Sequence, residues 1–331
     1  VTGGANGIGK GIVKALLKRG ATVVIADIEE PMIEATVAEL SELGPVSGWR
    51  TDVSDEASVA ALADHVYATH GKCNLLFNNA GVTSGGGGKP WEQEPNDWRW
   101  CFGVNVFGMG IGTSVFVPRM IESGEPGQVI NTSSGDGGFA PVPTASVYAS
   151  SKAAVSCFTE ALHHNLISEG TALRASVFYP SGGMLDTGLF SAQRNRPEHL
   201  QRVGEGTGRK SMSFDELKAL VTEMRGEEPA VADLDELGEF VVDGVEARRY
   251  IIGRDLEDTV ELLHRRADAI GRFVVPEPQR MGCTPACTTS SPSPPRIRAT
   301  LATPIRSSSG SATTGRSRSR PVKTRSSHSS S

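Results

Sequence analysis

The stretch Thr2-Gly3-Gly4-Ala5-Asn6-Gly7-Ile8-Gly9 constrains this chain more than any other. It comes directly after the stub of a strand, Val1-Thr2. It opens a segment, Gly7 to Arg19, in which Ile8, Ile12, Ala15 and Leu16 recur at helical spacing until Gly20. Glycine in such a turn lets the backbone approach a bound diphosphate, and the N-terminus of the next helix favours its negative charge. A glycine-rich turn alone is also an ordinary tight turn, so its weight depends on the segments around it.

Those segments have a βαβα rhythm. Thr22 to Ala26 is a buried-strand run, and Met32 to Leu43 reads as a helix ending at Gly44. Val46 to Arg50 is a weak strand, and Asp55 to His70 is a helix stopped by Gly71. Strands at Leu75–Phe77, Gln128–Asn131 and Leu173–Phe178 alternate with helices at Asp97–Ser123 and Ser146–Ser168. This alternation predicts an α/β fold with a doubly wound parallel sheet and helices on both faces. Beyond Tyr179 the rhythm breaks into a polar stretch with one helix near Phe214–Met224, read as a lid over about 183–228. A helix (Asp233–Ala247), a strand (Tyr250–Gly253) and a last helix (Leu256–Arg272) then close a single domain over 1–276, its first strand truncated.

Residues 277–331 are different material, with 14 serines, seven prolines, nine Lys/Arg, one acid and no aromatic residue. Such a segment has too little apolar surface to fold, and is read as a disordered tail, whether genuine or an out-of-frame product. The net charge of -5 gives no reason to expect nucleic acid or an anionic membrane as partner. Five cysteines without pattern argue against a disulfide framework, and no metal site is read from them. No apolar run reaches the ~18 residues of a membrane helix, and no signal peptide is seen. A cytoplasmic chain is the expectation.

Polar clusters fall where the strands end. Asp27 closes the strand after the glycine turn, 18 residues beyond Gly9. A carboxylate there can accept from both ribose hydroxyls of an adenosine and would repel a 2′-phosphate, which favours NAD over NADP. Asp52-Val53, Asn78-Asn79-Ala80-Gly81, Ser133-Ser134 and Pro180-Ser181-Gly182 end the later strands. Each is ordinary turn chemistry. Together they line one crevice, because ligands of open α/β sheets bind beyond the carboxyl ends of the strands. Tyr148-Ala149-Ser150-Ser151-Lys152 then places a phenol and an ammonium on one helix face. The ammonium is expected to lower the phenol pKa from ~10 towards neutrality, giving a general acid/base for a carbonyl or alcohol.

These motifs together resemble the short-chain dehydrogenase/reductase family, in its single-domain branch, over Val1 to about Pro276. The resemblance implies a Rossmann-type fold and hydride transfer with NAD, NADP being the lesser expectation. It implies Gly3, Asn6, Gly7, Ile8, Gly9, Asp27, Asp52, Val53, Asn79, Ala80, Gly81, Tyr148, Lys152, Pro180 and Gly182 as the cofactor-binding set. Tyr148 would move the proton, and Ser134 (with Ser133 as the alternative) would hold the substrate oxygen. Lys152 would bind the nicotinamide ribose and depress the Tyr148 pKa. Asn105 would anchor a water that relays protons from Lys152, and Asn78 would brace a strand end. It further implies a homodimer or homotetramer formed through the helices Asp97–Ser123 and Ser146–Ser168.

The chain departs from the family pattern in three places, the truncated first strand being one. The stretch from Ser134 to Tyr148 is one residue longer than usual, and Thr187 lies two residues late after Pro180. The expected substrate is a small-molecule secondary alcohol or ketone, hydrophobic or bulky. An NADPH-dependent 3-oxoacyl thioester reductase is opposed by Asp27. A dehalogenating lyase would carry Arg where Lys152 stands, and a non-catalytic NAD-sensing module would lack Tyr148 or Lys152. Trp91, Trp98 and Trp100 are read as packing, and His163-His164 as structural.

Overall fold

The computed structural model describes residues 1–84, 88–203, 213–254, 256–276 and 278. The expectations for a glycine loop at 85–87, for 204–212 within the lid, and for the tail beyond 278 lie outside the described residues.

Helix α1 (Gly7–Lys18) is capped by Asn6, whose side chain accepts from the Gly7 N–H. Strand β1 (Val23–Asp27) pairs in parallel with β2 (Val46–Arg50), with helix α2 (Glu30–Leu40) between them in the chain. Helix α3 (Glu56–His70) starts at the Asp55 cap and ends at Gly71, which has φ +73° as an αL cap requires. Strands β3 (Leu75–Asn78), β4 (Gly127–Thr132), β5 (Leu173–Phe178) and β6 (Ile251–Ile252) form a parallel ladder in that spatial order. The Val1–Gly3 stub lies between the two ladders. The Ala26 N–H donates to Val1 O and the Gly3 N–H to Ala26 O, while the Thr2 N–H donates to Phe77 O.

Adjacent strand residues feed opposite cores, as a sheet covered on both faces requires. Ile25, Phe77, Ile130 and Phe178 pack with α1, α2 and α9 (Leu234–Glu246). Ala26, Leu76, Val129 and Ala175 pack against α3, α5 (Met109–Glu122) and α7 (Ser146–Ser168). The doubly wound arrangement expected from the sequence is thus present, and the α7 bounds coincide with those expected.

One expected helix is helical throughout but changes its winding part-way. The run Asp97–Ser123 is α4 (Pro95–Phe102), a π-helical turn over Gly103–Gly108, and then α5. The wider turn pushes Asn105 inward, where it is buried. The whole run Pro95–Glu122 is long and apolar enough by composition to cross a membrane, which corrects the expectation that no segment was. Half of its apolar window is buried in the protein, as in a core helix. A short turn, α6 (Gly135–Gly138), precedes α7, while α8 (Phe214–Arg225) and α10 (Glu257–Gly271) complete the helices among the described residues.

Helices α1 and α9 meet backbone to backbone. A Cβ added to Gly238 would lie 2.2 Å from the Gly11 carbonyl oxygen, and one added to Gly11 would lie 2.2 Å from the Leu234 carbonyl oxygen. Neither obstacle is a flexible side chain, so the helices themselves must separate. Gly238→Ala is expected to destabilise the fold by about 1–3 kcal/mol, read as a lower denaturation midpoint with an unchanged m-value. An unshifted midpoint would show that the helices part at no cost.

Candidate active site

A cleft of about 670 Å³ opens at the carboxyl ends of the strands. Its floor is the glycine turn. Gly3 and Gly7 have φ of +61° and +56°, a backbone region that side-chain-bearing residues avoid. A Cβ on Gly9 would lie 2.0 Å from the Gly3 carbonyl oxygen, so only glycine permits this strand-to-helix turn. Gly7, Ile8 and Gly9 line the cleft at the N-terminus of α1. A turn of this shape can accept a diphosphate, whose charge the helix start favours.

The end of β3 is tied to this turn through Asn79. Its Nδ2 donates to Thr2 O and Gly3 O, and its Oδ1 accepts from Thr132 Oγ1 at 3.2 Å. Thr2 Oγ1 in turn accepts from the Asn79 and Ala80 N–H groups. Asn78 donates instead to Asn131 at 2.9 Å, and Asn131 to Thr159 on α7. Asp27 stands beside the glycine turn, its carboxylate accepting from the Ala5 and Glu29 N–H groups. Burial raises its pKa, and those backbone donors oppose the rise.

Ser134, Tyr148 and Lys152 converge on one wall. The Ser134 hydroxyl faces the Tyr148 phenol, whose charged form it favours, and caps the α6 turn by accepting from the Asp136 N–H. The Ser133 hydroxyl is turned away, towards Lys152 O and Ser156 Oγ. Of the two serines, only Ser134 thus presents its hydroxyl to the phenol. Lys152 Nζ donates to Thr132 O at 2.9 Å and lies 5.7 Å from the Tyr148 ring centre.

The expected depression of the Tyr148 pKa is not found. Burial pushes the phenol well above its ordinary value, with Ser134 opposing and Asp136 reinforcing the rise. Burial also lowers the Lys152 ammonium to about 8. Removal from water disfavours both charged forms. The lysine sits over the ring face and is held by a carbonyl, so its field at the phenol oxygen does not override that cost.

The remaining sequence-predicted cofactor residues, Asp52, Val53, Ala80, Gly81 and Pro180, also line the cleft. Two predicted residues do not. Asn105 lies behind the wall, its Oδ1 accepting from the Val82 N–H and its Nδ2 donating to Val82 O and Ser151 Oγ. Its side chain clamps the strand-end loop, and a Cβ on Gly81 would lie 3.4 Å from both Asn105 Oδ1 and Lys152 Nζ. Gly182 faces Ala232, and the neighbouring Gly183 lines the cleft instead. The cause is the reciprocal pairing of Met184 with Ala230 and Ala232, which fixes the chain past Gly183.

Further residues join the cleft. Thr187 packs against Gly7, where a Cβ would meet it at 3.1 Å, so the late threonine reaches the glycine turn. The adjoining 3₁₀ segment, Gly188–Asn195, is pinned by Arg194, whose Nε donates to Glu29 at 3.0 Å. Asp136 also lines the cleft, and its position two residues after Ser134 was the only available signal. Behind the cleft, Asp97 is fully buried and binds Arg196 and Arg202 at 2.9 and 2.8 Å. Trp100 packs there under Arg196, whereas Trp91 is largely exposed. His163 bonds the Ala175 carbonyl through Nδ1. Among the described residues, no group of three or more His, Cys, Asp or Glu is placed to hold a metal.

Residues 1–198 match the family model described as short chain dehydrogenase. A "C alpha-dehydrogenase" of Sphingobium sp. is 38% identical over 200 residues, which span 60% of this chain and 63% of that relative. A "1-deoxy-11-beta-hydroxypentalenate dehydrogenase" of Streptomyces exfoliatus is 32% identical over 68% of this chain and 78% of its own length. Among solved structures, a short chain dehydrogenase/reductase from Burkholderia phymatum in complex with NAD is 33% identical. It superposes with a TM-score of 0.74 over 85% of this chain and 96% of its own. With the glycine turn, the strand-end cleft and the Ser134–Tyr148–Lys152 wall in place, these matches show that the chain belongs to the short-chain dehydrogenase/reductase family.

Proposed function

We propose that the chain is an NAD-dependent oxidoreductase that interconverts a bulky or hydrophobic secondary alcohol and its ketone. The observation that carries this reading is the shared wall of Ser134, Tyr148 and Lys152 in the cleft that also holds the glycine turn and Asp27. The glycine cradle and the strand-end carboxylate fit a dinucleotide. Asp27 favours an unphosphorylated adenosine ribose, and NAD is the cofactor named for the Burkholderia phymatum relative. The apolar side chains Val82, Val104, Leu189, Phe190, Ala192 and Leu217 support a large apolar substrate.

In this reading the nicotinamide supplies or accepts the hydride. Ser134 donates to the substrate oxygen and fixes it beside Tyr148. In reduction the Tyr148 hydroxyl gives its proton to that oxygen as negative charge develops there. In oxidation the phenolate removes the hydroxyl proton. The Lys152 ammonium offsets the phenolate charge and binds the nearer ribose. The Asn105 clamp on Val82 holds the Gly81 backbone beside Lys152.

Each of these roles has a measurable consequence. Tyr148→Phe should lower kcat by about 10²–10⁴-fold while NADH binding, monitored by its fluorescence, persists. Normal turnover by that variant would exclude the mechanism. Burial holds the Lys152 ammonium near 8, so its charge is present below that pH and lost above it. The kcat/KM should therefore fall as pH rises through about 8, and a flat profile from pH 6 to 10 would contradict the assignment. Asp27→Ala should shift the NAD/NADP preference towards NADP by about tenfold or more, since like-charge repulsion is removed. For the homo-oligomer, Phe107 and Ile121 are exposed on the run 97–123 and Ile167 on α7. Size-exclusion chromatography should give a mass two or four times 35.0 kDa.

A further inference from the structure

Asp136 is the charged group of this wall that the mechanism leaves unused. It lines the cleft with Ser134 and Tyr148, and its charge is felt by the Tyr148 phenol. An aspartate in a tight turn ordinarily serves as its own cap, its carboxylate accepting a nearby backbone N–H. Here that task belongs to Ser134, whose hydroxyl takes the Asp136 N–H at 3.2 Å. Among the described residues, no hydrogen bond or ion pair engages the Asp136 carboxylate.

The backbone holds the residue in place. Asp136 has an extended ψ of 105° inside an otherwise turn-like segment, and Gly137 comes next at φ +93°. A Cβ on Gly137 would lie 1.8 Å from the Ala149 carbonyl oxygen, so the loop is pressed onto the first turn of α7 beside Tyr148. The Gly137 N–H is tied to Ala140 O at 2.8 Å. The backbone that carries the carboxylate is therefore fixed at the cleft wall. A half-buried carboxylate without a partner costs stability, and burial accordingly raises its pKa. Unsatisfied polar groups that a fold retains cluster at sites that meet a ligand.

Resting on the oxidoreductase reading above, we propose that Asp136 determines substrate specificity. It selects alcohols and ketones bearing a second hydrogen-bond donor, a hydroxyl or an ammonium, on a carbon near the reacting one, and it rejects those bearing a carboxylate there. Ser134 links the two ends of this recognition. Its hydroxyl holds the reacting oxygen, and the same atom fixes the backbone that carries the second carboxylate contact. The substrate's remaining bulk would lie on the apolar walls.

The test is a matched series of aryl ketones assayed with NADH: unsubstituted at the α-carbon, α-hydroxy, α-ammonio and α-carboxylate. Wild-type protein should prefer the hydroxy and ammonio members over the plain ketone by about tenfold or more in kcat/KM, as a hydrogen bond to a charged group warrants. The carboxylate member should be the poorest. Asp136→Ala should bring the hydroxy, ammonio and plain members to near parity and improve the carboxylate member. Asp136→Asn should retain part of the hydroxyl preference, through its amide oxygen, and lose the ammonium preference. Unchanged ratios in Asp136→Ala would overturn the proposal. So would equal losses on all four members with a lowered melting temperature, which would mark Asp136 as structural. If the wild-type chain turns over no alcohol or ketone with NAD(H) or NADP(H), the oxidoreductase reading fails instead. Affinities of the same four compounds, measured by calorimetry on both proteins with NADH present, then decide the selectivity of Asp136 independently.

Discussion

The hydrogen bonds between Thr2 and Asn79 hold together everything that the cleft requires. Thr2 lies between the β1–β2 ladder and the β3–β6 ladder, and its backbone and hydroxyl both bond to the end of β3. Asn79 returns the connection to Thr2 and Gly3 and extends it to Thr132 at the end of β4. Three strand ends and the glycine turn thereby share one rigid frame. Lys152 donates to the carbonyl of the same Thr132. The cradle at one end of the cleft and the Tyr148 wall at the other are registered through two side chains and one carbonyl.

Around that frame the protein uses burial to set reactivity. The desolvation that lowers the Lys152 ammonium to about 8 also raises the Tyr148 phenol. Lysine thus becomes the easier of the two to neutralise, and the phenol holds its proton more tightly than it would in water. Ser134 moderates the phenol, and Asp136 opposes it.

The far side of the site depends on contacts between residues distant in the chain. Asp97, at the start of α4, is buried against Arg196 and Arg202. These ion pairs hold the 196–202 stretch behind the cleft, and Arg194 with Glu29 holds the preceding 3₁₀ segment beside the β1 end. A buried carboxylate is tolerated when charged partners and further hydrogen bonds surround it. Asp97 meets that condition and Asp136 does not, which is why only the second is read as awaiting a ligand. The π turn over Gly103–Gly108 performs a comparable service, turning Asn105 inward to clamp Val82.

Local rules made much of this legible beforehand. The glycine turn, the Asp55 and Gly71 caps and the 23-residue α7 arise from spacing and capping chemistry, which act within a few residues. The same rules located every strand-end cluster, and most of the residues named from them line one cleft. The π turn escaped, because shifting the bonding pattern by one residue leaves no mark in apolar periodicity. The preference for Ser134 over Ser133 came from the family resemblance and not from spacing, since adjacent residues at a strand end point in opposite directions and only the packing of α7 decides which meets Tyr148. Sequence by itself thus determined the chemistry available: a diphosphate cradle, a strand-end carboxylate, a phenol and an ammonium four residues apart. Tertiary structure decided their proton affinities, the partner of Arg194 and the isolation of the Asp136 carboxylate. Desolvation and long-range ion pairing arise only when distant segments exclude water from one another.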